Sequence, residues 1–228
     1  MKNITPTSRQ EFFASGEQYV NEIFGVISSN IDGGFSPSLG IDFGCGVGRI
    51  VIPLSKRCGR VIGVDVSPSM IVEAKRNCVL FNVTNVDFVN ELAKIEQKVD
   101  FINTYTVLQH IRKDIGMDII DEFIEKLNPS GIACIQFPYF SRRSMMKRIL
   151  KPIVDRSGLA RKMYNAIIMK DAKAPYMMST DYDITEILRL LSEKNINKVL
   201  VLTDKYDKYG AEDAHTYRTY SARLFVQK

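Results

Sequence analysis

Two apolar rhythms alternate along the chain. Short unbroken apolar runs, suited to strands covered on both faces, are followed by stretches whose apolar residues recur every three or four positions, as on one face of a helix. Ser8-Arg9-Gln10-Glu11 has capping-box spacing, and Phe12, Phe13, Tyr19, Ile23 and Phe24 follow at helical intervals. Gly33, Gly34 and Pro37 close that helix in a loop. Leu39-Gly40-Ile41-Asp42-Phe43 then predicts a first strand, and residues 49–57 a helix with Pro53 inside it as a kink. Arg60-Val61-Ile62-Gly63-Val64-Asp65 is a second strand, after which Ser67-Pro68 reads as an N-cap with proline at the first helical position.

The rhythm continues with a helix over residues 70–78 and a softer third strand over 82–89. A fourth strand, Val99-Asp100-Phe101-Ile102-Asn103-Thr104, precedes the clearest helix, 114–127, with Ile115, Ile119, Phe123, Ile124 and Leu127 on one face. Asn128-Pro129-Ser130-Gly131 stops that helix, and a fifth strand runs over 131–137. Five strand–helix alternations with short links predict an open α/β sheet built from right-handed crossovers. A helix from Asp183-Ile184-Thr185-Glu186 to about residue 194, and strands over 198–203 and 217–227, complete the pattern. At 228 residues, 45% of them hydrophobic, one domain with an elaboration is expected over 1–228.

Charge changes the picture in one place. Residues 141–180 hold ten Lys and Arg against Asp155 and Asp171, a net of +8 in a chain whose total is +5. The remainder is therefore mildly acidic. This methionine-rich, less periodic stretch reads as an inserted cap. Three readings of it stay open: a seat for an anionic acceptor, a solvated face, or an amphipathic 145–159 lying on a membrane surface. Aromatic–basic interleaving of the nucleic-acid-binding kind is absent. Cys45, Cys58, Cys78 and Cys134 are scattered among apolar neighbours with no C-x-x-C pair, so reduced buried thiols are expected rather than disulfides or a metal site. With no long apolar run and a polar start, Met1-Lys2-Asn3, the expected compartment is the cytoplasm.

The candidate chemistry lies at the turn after the first strand, Asp42-Phe43-Gly44-Cys45-Gly46-Val47-Gly48-Arg49. Glycines at alternate positions let backbone approach a bulky ligand or adopt φ > 0, and the helix start beyond offers free N–H groups. The dinucleotide pattern G-x-G-x-x-G fails here, because Arg49 stands at its third glycine and Gly48 comes one residue early.

Four stretches in order carry a resemblance: 39–49, then Gly63-Val64-Asp65-Val66-Ser67, then Val107-Leu108-Gln109-His110-Ile111, then Leu127-Asn128-Pro129-Ser130-Gly131. Together they resemble the class I S-adenosylmethionine-dependent methyltransferases. The resemblance implies a Rossmann-like, seven-stranded, mostly parallel sheet with a C-terminal antiparallel hairpin. It also implies S-adenosylmethionine as cofactor and transfer of a methyl group to oxygen, or nitrogen, of a small anionic or glycosyl- or nucleotide-linked acceptor. A non-catalytic nucleotide-binding or RNA-associated module that keeps the fold is the alternative. Nucleic acid is not the expected partner.

The site residues follow from the same resemblance. Gly44, Cys45 and Gly46 would lie against the nucleoside, Asp42 would face the cofactor's ammonium group, Asp65 the ribose hydroxyls, and Val66 and Met70 the adenine, with Arg49 in the same cofactor-binding set. Thr104 joins this set at the end of the fourth strand. The acid that contacts the adenine amine would be Glu91, beside Asn90 on a shortened loop, or is missing. His110 is the candidate general base, against a structural role ordering its loop. Tyr105, Gln109, Tyr139, Arg142, Arg143 and Tyr176 are candidates for the acceptor side, and His215 reads as a surface residue. No metal is implied.

Overall fold

The computed structural model describes residues 6–141, 180–207 and 218–228. The predicted basic cap, with Arg142, Arg143 and Tyr176, lies outside them, as does His215. Five helices and seven strands can be named: α1 (Pro6–Asn30), β1 (Leu39–Phe43), α2 (Val51–Leu54), β2 (Arg60–Val64), α3 (Pro68–Leu80), β3 (Val86–Val89), β4 (Val99–Thr104), α4 (Lys113–Lys126), β5 (Leu127–Ser141), α5 (Ile184–Glu193), β6 (Lys198–Asp207) and β7 (Arg218–Gln227). The strands form one sheet in the order β3-β2-β1-β4-β5-β7-β6. β1 to β5 pair in parallel, and β7 lies antiparallel between β5 and β6.

Apolar layers cover both faces, which is why the parallel strands read as unbroken apolar runs. Ile41, Ile62, Ile102 and Ile135 face Phe123 of α4 and Leu191 of α5. Val61, Phe101, Cys134 and Phe225 face Ile23 of α1, Val51 of α2 and Cys78 of α3. Among the described residues no helix is long and apolar enough to cross a membrane.

Of three local expectations, two are corrected and one holds. The helix over 49–57 is only the single turn Val51–Leu54, followed by turns to Cys58, so Pro53 sits within a short helix and kinks nothing. Ser67 stands at the N-cap of α3 with Pro68 first in the helix, as expected, although its hydroxyl pairs with Ser69 Oγ at 3.0 Å in place of a capping bond. Asn128-Pro129-Ser130-Gly131 does follow the end of α4, but β5 begins at Leu127 and not at 131. Leu127 already pairs with Val99, pairing resumes at Ile132 with Phe101, and the intervening residues bulge with Ser130 at φ 65°.

Chain order places the site. β1 connects to β2 on one side and has β4 on the other, so the sheet's switch point lies between β1 and β4, where ligands of open α/β sheets gather. A second feature ties down the same edge. Fully buried Tyr182, just before α5, donates its hydroxyl to the Leu108 carbonyl at 3.0 Å and its N–H to the Pro138 carbonyl at 2.8 Å. Thr180 N–H donates to the Gln109 carbonyl, also at 2.8 Å. The chain leaving β5 at Ser141 thus re-enters the described structure beside the Leu108–His110 turn.

Candidate active site

The glycine turn owes its shape to backbone bonds with β2. Val64 carbonyl accepts from the N–H groups of Gly44 and Cys45, at 2.8 and 3.0 Å. The Asp65 carboxylate accepts from Gly46 N–H with one oxygen (2.8 Å) and from Ser67 N–H with the other (2.9 Å). Gly44, Gly46 and Gly48 all hold positive φ (77°, 54° and 91°), a region that side chains strain. At Gly44 a Cβ would also stand 2.2 Å from a Val107 methyl. The turn and the loop after β4 are therefore packed backbone to side chain.

Between them lies a cavity of about 140 Å³. Its wall includes Asp42, Gly44, Gly46 and Arg49 from the turn, Tyr105 and Thr106 from the loop after β4, and Phe12 from α1. Thr106 reaches it through a strained backbone, φ 62°, held by its N–H bond to the buried Gln136 Oε1 at 2.8 Å. Arg49 lies between the rings of Phe12 (5.6 Å) and Tyr105 (5.4 Å), a cation–π arrangement that fixes a charged group at the wall.

Asp42 is the electrostatic centre. It is 2% exposed, and burial pushes its carboxyl from the ordinary value up to about 7, against the opposing pull of the Asn103 hydrogen bond and the Arg49 charge. Asn103, its register partner on β4, donates Nδ2–H to Asp42 Oδ1 at 2.7 Å. Tyr19 of α1 in turn donates its hydroxyl to Asn103 Oδ1 at 2.9 Å, its ring stacked on Tyr105 at 4.1 Å. Such a site can hold a cation against Asp42 and a hydroxyl pair against Asp65. Burial raises Cys45 far above the thiol range, so it supplies wall and not a nucleophile.

Residues 41–131 match the family model described as a methyltransferase domain. That stretch sits within a class I methyltransferase fold. The chain's fold is that of magnesium protoporphyrin IX methyltransferase (ChlM) from Synechocystis PCC 6803, solved with bound SAH: TM-score 0.63, 20% identity, 96% of this chain and 86% of that one. In sequence it is similar to the 23S rRNA (uracil(1939)-C(5))-methyltransferase RlmD of Legionella pneumophila, 42% identical over 98 residues. It is also similar to the ribosomal protein L11 methyltransferase of Lactobacillus johnsonii, 33% identical over 94 residues. The matches cover 42% and 40% of this chain but only 22% and 28% of those relatives. What they share with it is therefore one part of longer proteins.

The structure brings together Asp42, Gly44, Cys45, Gly46, Arg49 and Tyr105 around the cavity, with Asp65 bonded to its floor at Gly46. Val66 and Met70 stand exposed beyond Asp65, at 82% and 43%. Asn90 and Glu91 pair with each other at 3.2 Å, and both engage Lys94. Gln109 and His110, 3.0 Å apart, and Tyr139 lie at the same sheet edge without lining the cavity. Thr104 is fully buried on the opposite face, in register with Phe43 and Ile135. Its neighbour Asn103 is the β4 residue that faces the site. Sequence reasoning missed Asn103, Tyr19, Phe12 and Thr106. The available signal was Asn103 itself, an amide in an apolar strand, which burial forbids without a partner.

Proposed function

We propose that the chain is an S-adenosylmethionine-dependent methyltransferase acting on oxygen, or nitrogen, of a small anionic acceptor. The observation that carries the donor half is the pairing of two carboxylates across the glycine turn: Asp42 buried in the cavity and Asp65 bonded to Gly46 N–H. A ligand with an ammonium group at one end and a ribose diol at the other meets both. The cavity is smaller than the roughly 300 Å³ that encloses a typical small ligand. The amino-acid end would thus enter it, and the adenine would cover the exposed Val66 and Met70.

S-Adenosylmethionine, when bound, supplies a methyl carbon already activated by its sulfonium. The chain's own task is to align acceptor and donor. Asp42 and Arg49 hold the amino-acid end, Asp65 the ribose, and the loop after β4 with Tyr105 and Thr106 bounds the acceptor side. Where the acceptor must lose a proton, His110 at the same edge takes it. The anionic acceptor rests on the +8 charge of residues 141–180. An RNA acceptor is the second reading, favoured by the similarity to RlmD. The four free, buried cysteines suit a reducing compartment, in keeping with the cytoplasm.

Isothermal titration with S-adenosylhomocysteine tests the donor half. Binding is expected in the wild type, and Asp65→Ala should weaken it by about 2 kcal/mol, roughly thirtyfold, through loss of two charge-assisted hydrogen bonds partly replaced by water. Binding of NAD in place of S-adenosylhomocysteine would sink the reading. Binding without methyl transfer to any phosphate-bearing, glycosyl or RNA acceptor would leave the non-catalytic module. His110→Ala is expected to lower turnover by about a hundredfold with cofactor affinity unchanged. An unaltered rate across pH returns His110 to ordering its loop.

A further inference from the structure

The hydrogen bonds behind Asp42 run away from the cavity and end on Tyr19 of α1, which does not line it. We propose that Tyr19 and Asn103 are positioning residues that fix the charge of the donor seat from behind: Tyr19 locks the Asn103 amide with its NH₂ toward Asp42, holding Asp42 as the carboxylate that a ligand ammonium requires. This rests on the S-adenosylmethionine reading above.

Directionality is the core of the argument. An amide has one donor end and one acceptor end, so what one neighbour demands dictates what the other receives. With the Tyr19 hydroxyl donating to Asn103 Oδ1, only the NH₂ is left for Asp42, and an NH₂ favours the ionised oxygen. Protonated Asp42 accepts the same NH₂ more weakly at its carbonyl oxygen, and it alone can also reverse the direction: its O–H donating to Asn103 Oδ1, the NH₂ turned to Tyr19 Oη, and the Tyr19 hydrogen sent elsewhere. That elsewhere exists. Cys134 Sγ lies 3.7 Å from Tyr19 Oη. The row Asp42–Asn103–Cys134 is thus one register line across β1, β4 and β5, roofed by Tyr19. It has two self-consistent hydrogen-bond directions, and the reversed one is open only to protonated Asp42.

The surrounding charges leave the balance close. Arg49, from the turn after β1, favours the carboxylate, and Asp65, from the end of β2, opposes it. Tyr19 on α1, Cys45 on the turn and Cys134 on β5 are all pushed above their ordinary values by burial, Cys134 to about 12, so they stay neutral around Asp42. The Arg223–Glu22 pair at 2.7 Å, linking β7 to α1, brings opposite charges together near Cys134. Burial puts the Asp42 midpoint at about 7, where a single hydrogen bond tips it.

The test is a carbon-NMR titration of side-chain-labelled aspartate, with the Asp42 signal assigned by its loss in Asp42→Asn, beside S-adenosylhomocysteine titrations at about pH 6 and about pH 8.5. Wild-type Asp42 should titrate near neutrality, and ligand binding should tighten as pH rises. Tyr19→Phe keeps the ring on Tyr105 but frees the amide, so the Asp42 midpoint should climb by about half a pH unit, a factor of roughly three in proton affinity. Ligand affinity should then fall more at the lower pH than at the higher. Asn103→Ser, which removes the amide, should move the midpoint the same way and serves if Tyr19→Phe does not fold. A wild-type midpoint below about 5, or an unmoved midpoint with equal affinity loss at both pH values, would overturn the proposal. A ligand that binds at neither pH, with the midpoint shift intact, would count against the cofactor reading alone.

Discussion

Asp42→Asn should make the protein more stable above neutral pH and at the same time empty its donor seat. The carboxyl of Asp42 is raised to about 7, chiefly by burial, so the folded chain holds this proton more tightly than the unfolded chain does. The group's contribution is therefore fully present below its ordinary value near 4 and is lost as pH rises through about 7. Above that, the native state carries a buried charge whose penalty is at most about 4 kcal/mol. Asparagine removes the charge and keeps an oxygen for the Asn103 NH₂. A gain of about 2 kcal/mol is expected at about pH 8, roughly 5 °C in melting temperature for a chain of this size. The gain should vanish by about pH 4, where aspartate is itself neutral. Affinity for an ammonium-bearing ligand should fall by about a hundredfold or more, since its partner charge is gone. Melting curves across pH together with titration calorimetry read both effects. A lower melting temperature at the higher pH would mean that Asp42 supports the fold as an anion.

Gly16→Ala should be as damaging as an ordinary helix glycine-to-alanine change is helpful. Alanine in a helix interior is normally worth up to about 1 kcal/mol over glycine. At Gly16 a Cβ would lie 2.1 Å from the carbonyl oxygen of Arg49 and 2.9 Å from its carbon, both backbone atoms that cannot step aside. Either α1 or the glycine turn must move, and Phe12, Tyr19 and the wall of the cavity move with them. A loss of about 2 to 3 kcal/mol is expected. Gly25, on the same helix with nothing within 4 Å of its missing Cβ, is the control. Gly25→Ala should stabilise while Gly16→Ala destabilises, a difference that thermal melts of the two variants measure directly. Equal effects would mean that α1 does not sit on the turn as described.

The contrast between these two glycines also marks how far the sequence could be read. The strands were legible because parallel strands covered on both faces need continuous apolar runs, and β4 was placed residue for residue. That same continuity hides which face each residue takes. Thr104 and Asn103 look interchangeable at a strand end, and only register with β1 sets Asn103 against Asp42 and Thr104 against Phe43. The helix after the glycine turn was overdrawn because apolar spacing persisted through Pro53 to Cys58 while the backbone closed into turns. Asp42, Asp65 and the glycines were legible because their chemistry is local: a turn, a positive φ, a strand-end carboxylate. Tyr19 was not, since it enters the site from a helix that is distant in sequence and shares its apolar spacing with plain core residues.

Tyr182 and Thr180 give the fold a particular kind of tolerance. By bonding to Pro138, Leu108 and Gln109, they fasten the returning chain next to the point where it departed. Those bonds join residues on the two sides of positions 142–179. Doubling the length of such a closed path costs only about 0.6 kcal/mol in chain entropy. Added length between those bonded ends is thus cheap in chain entropy, whereas a single methyl at Gly16 or Gly44 meets atoms that cannot step aside.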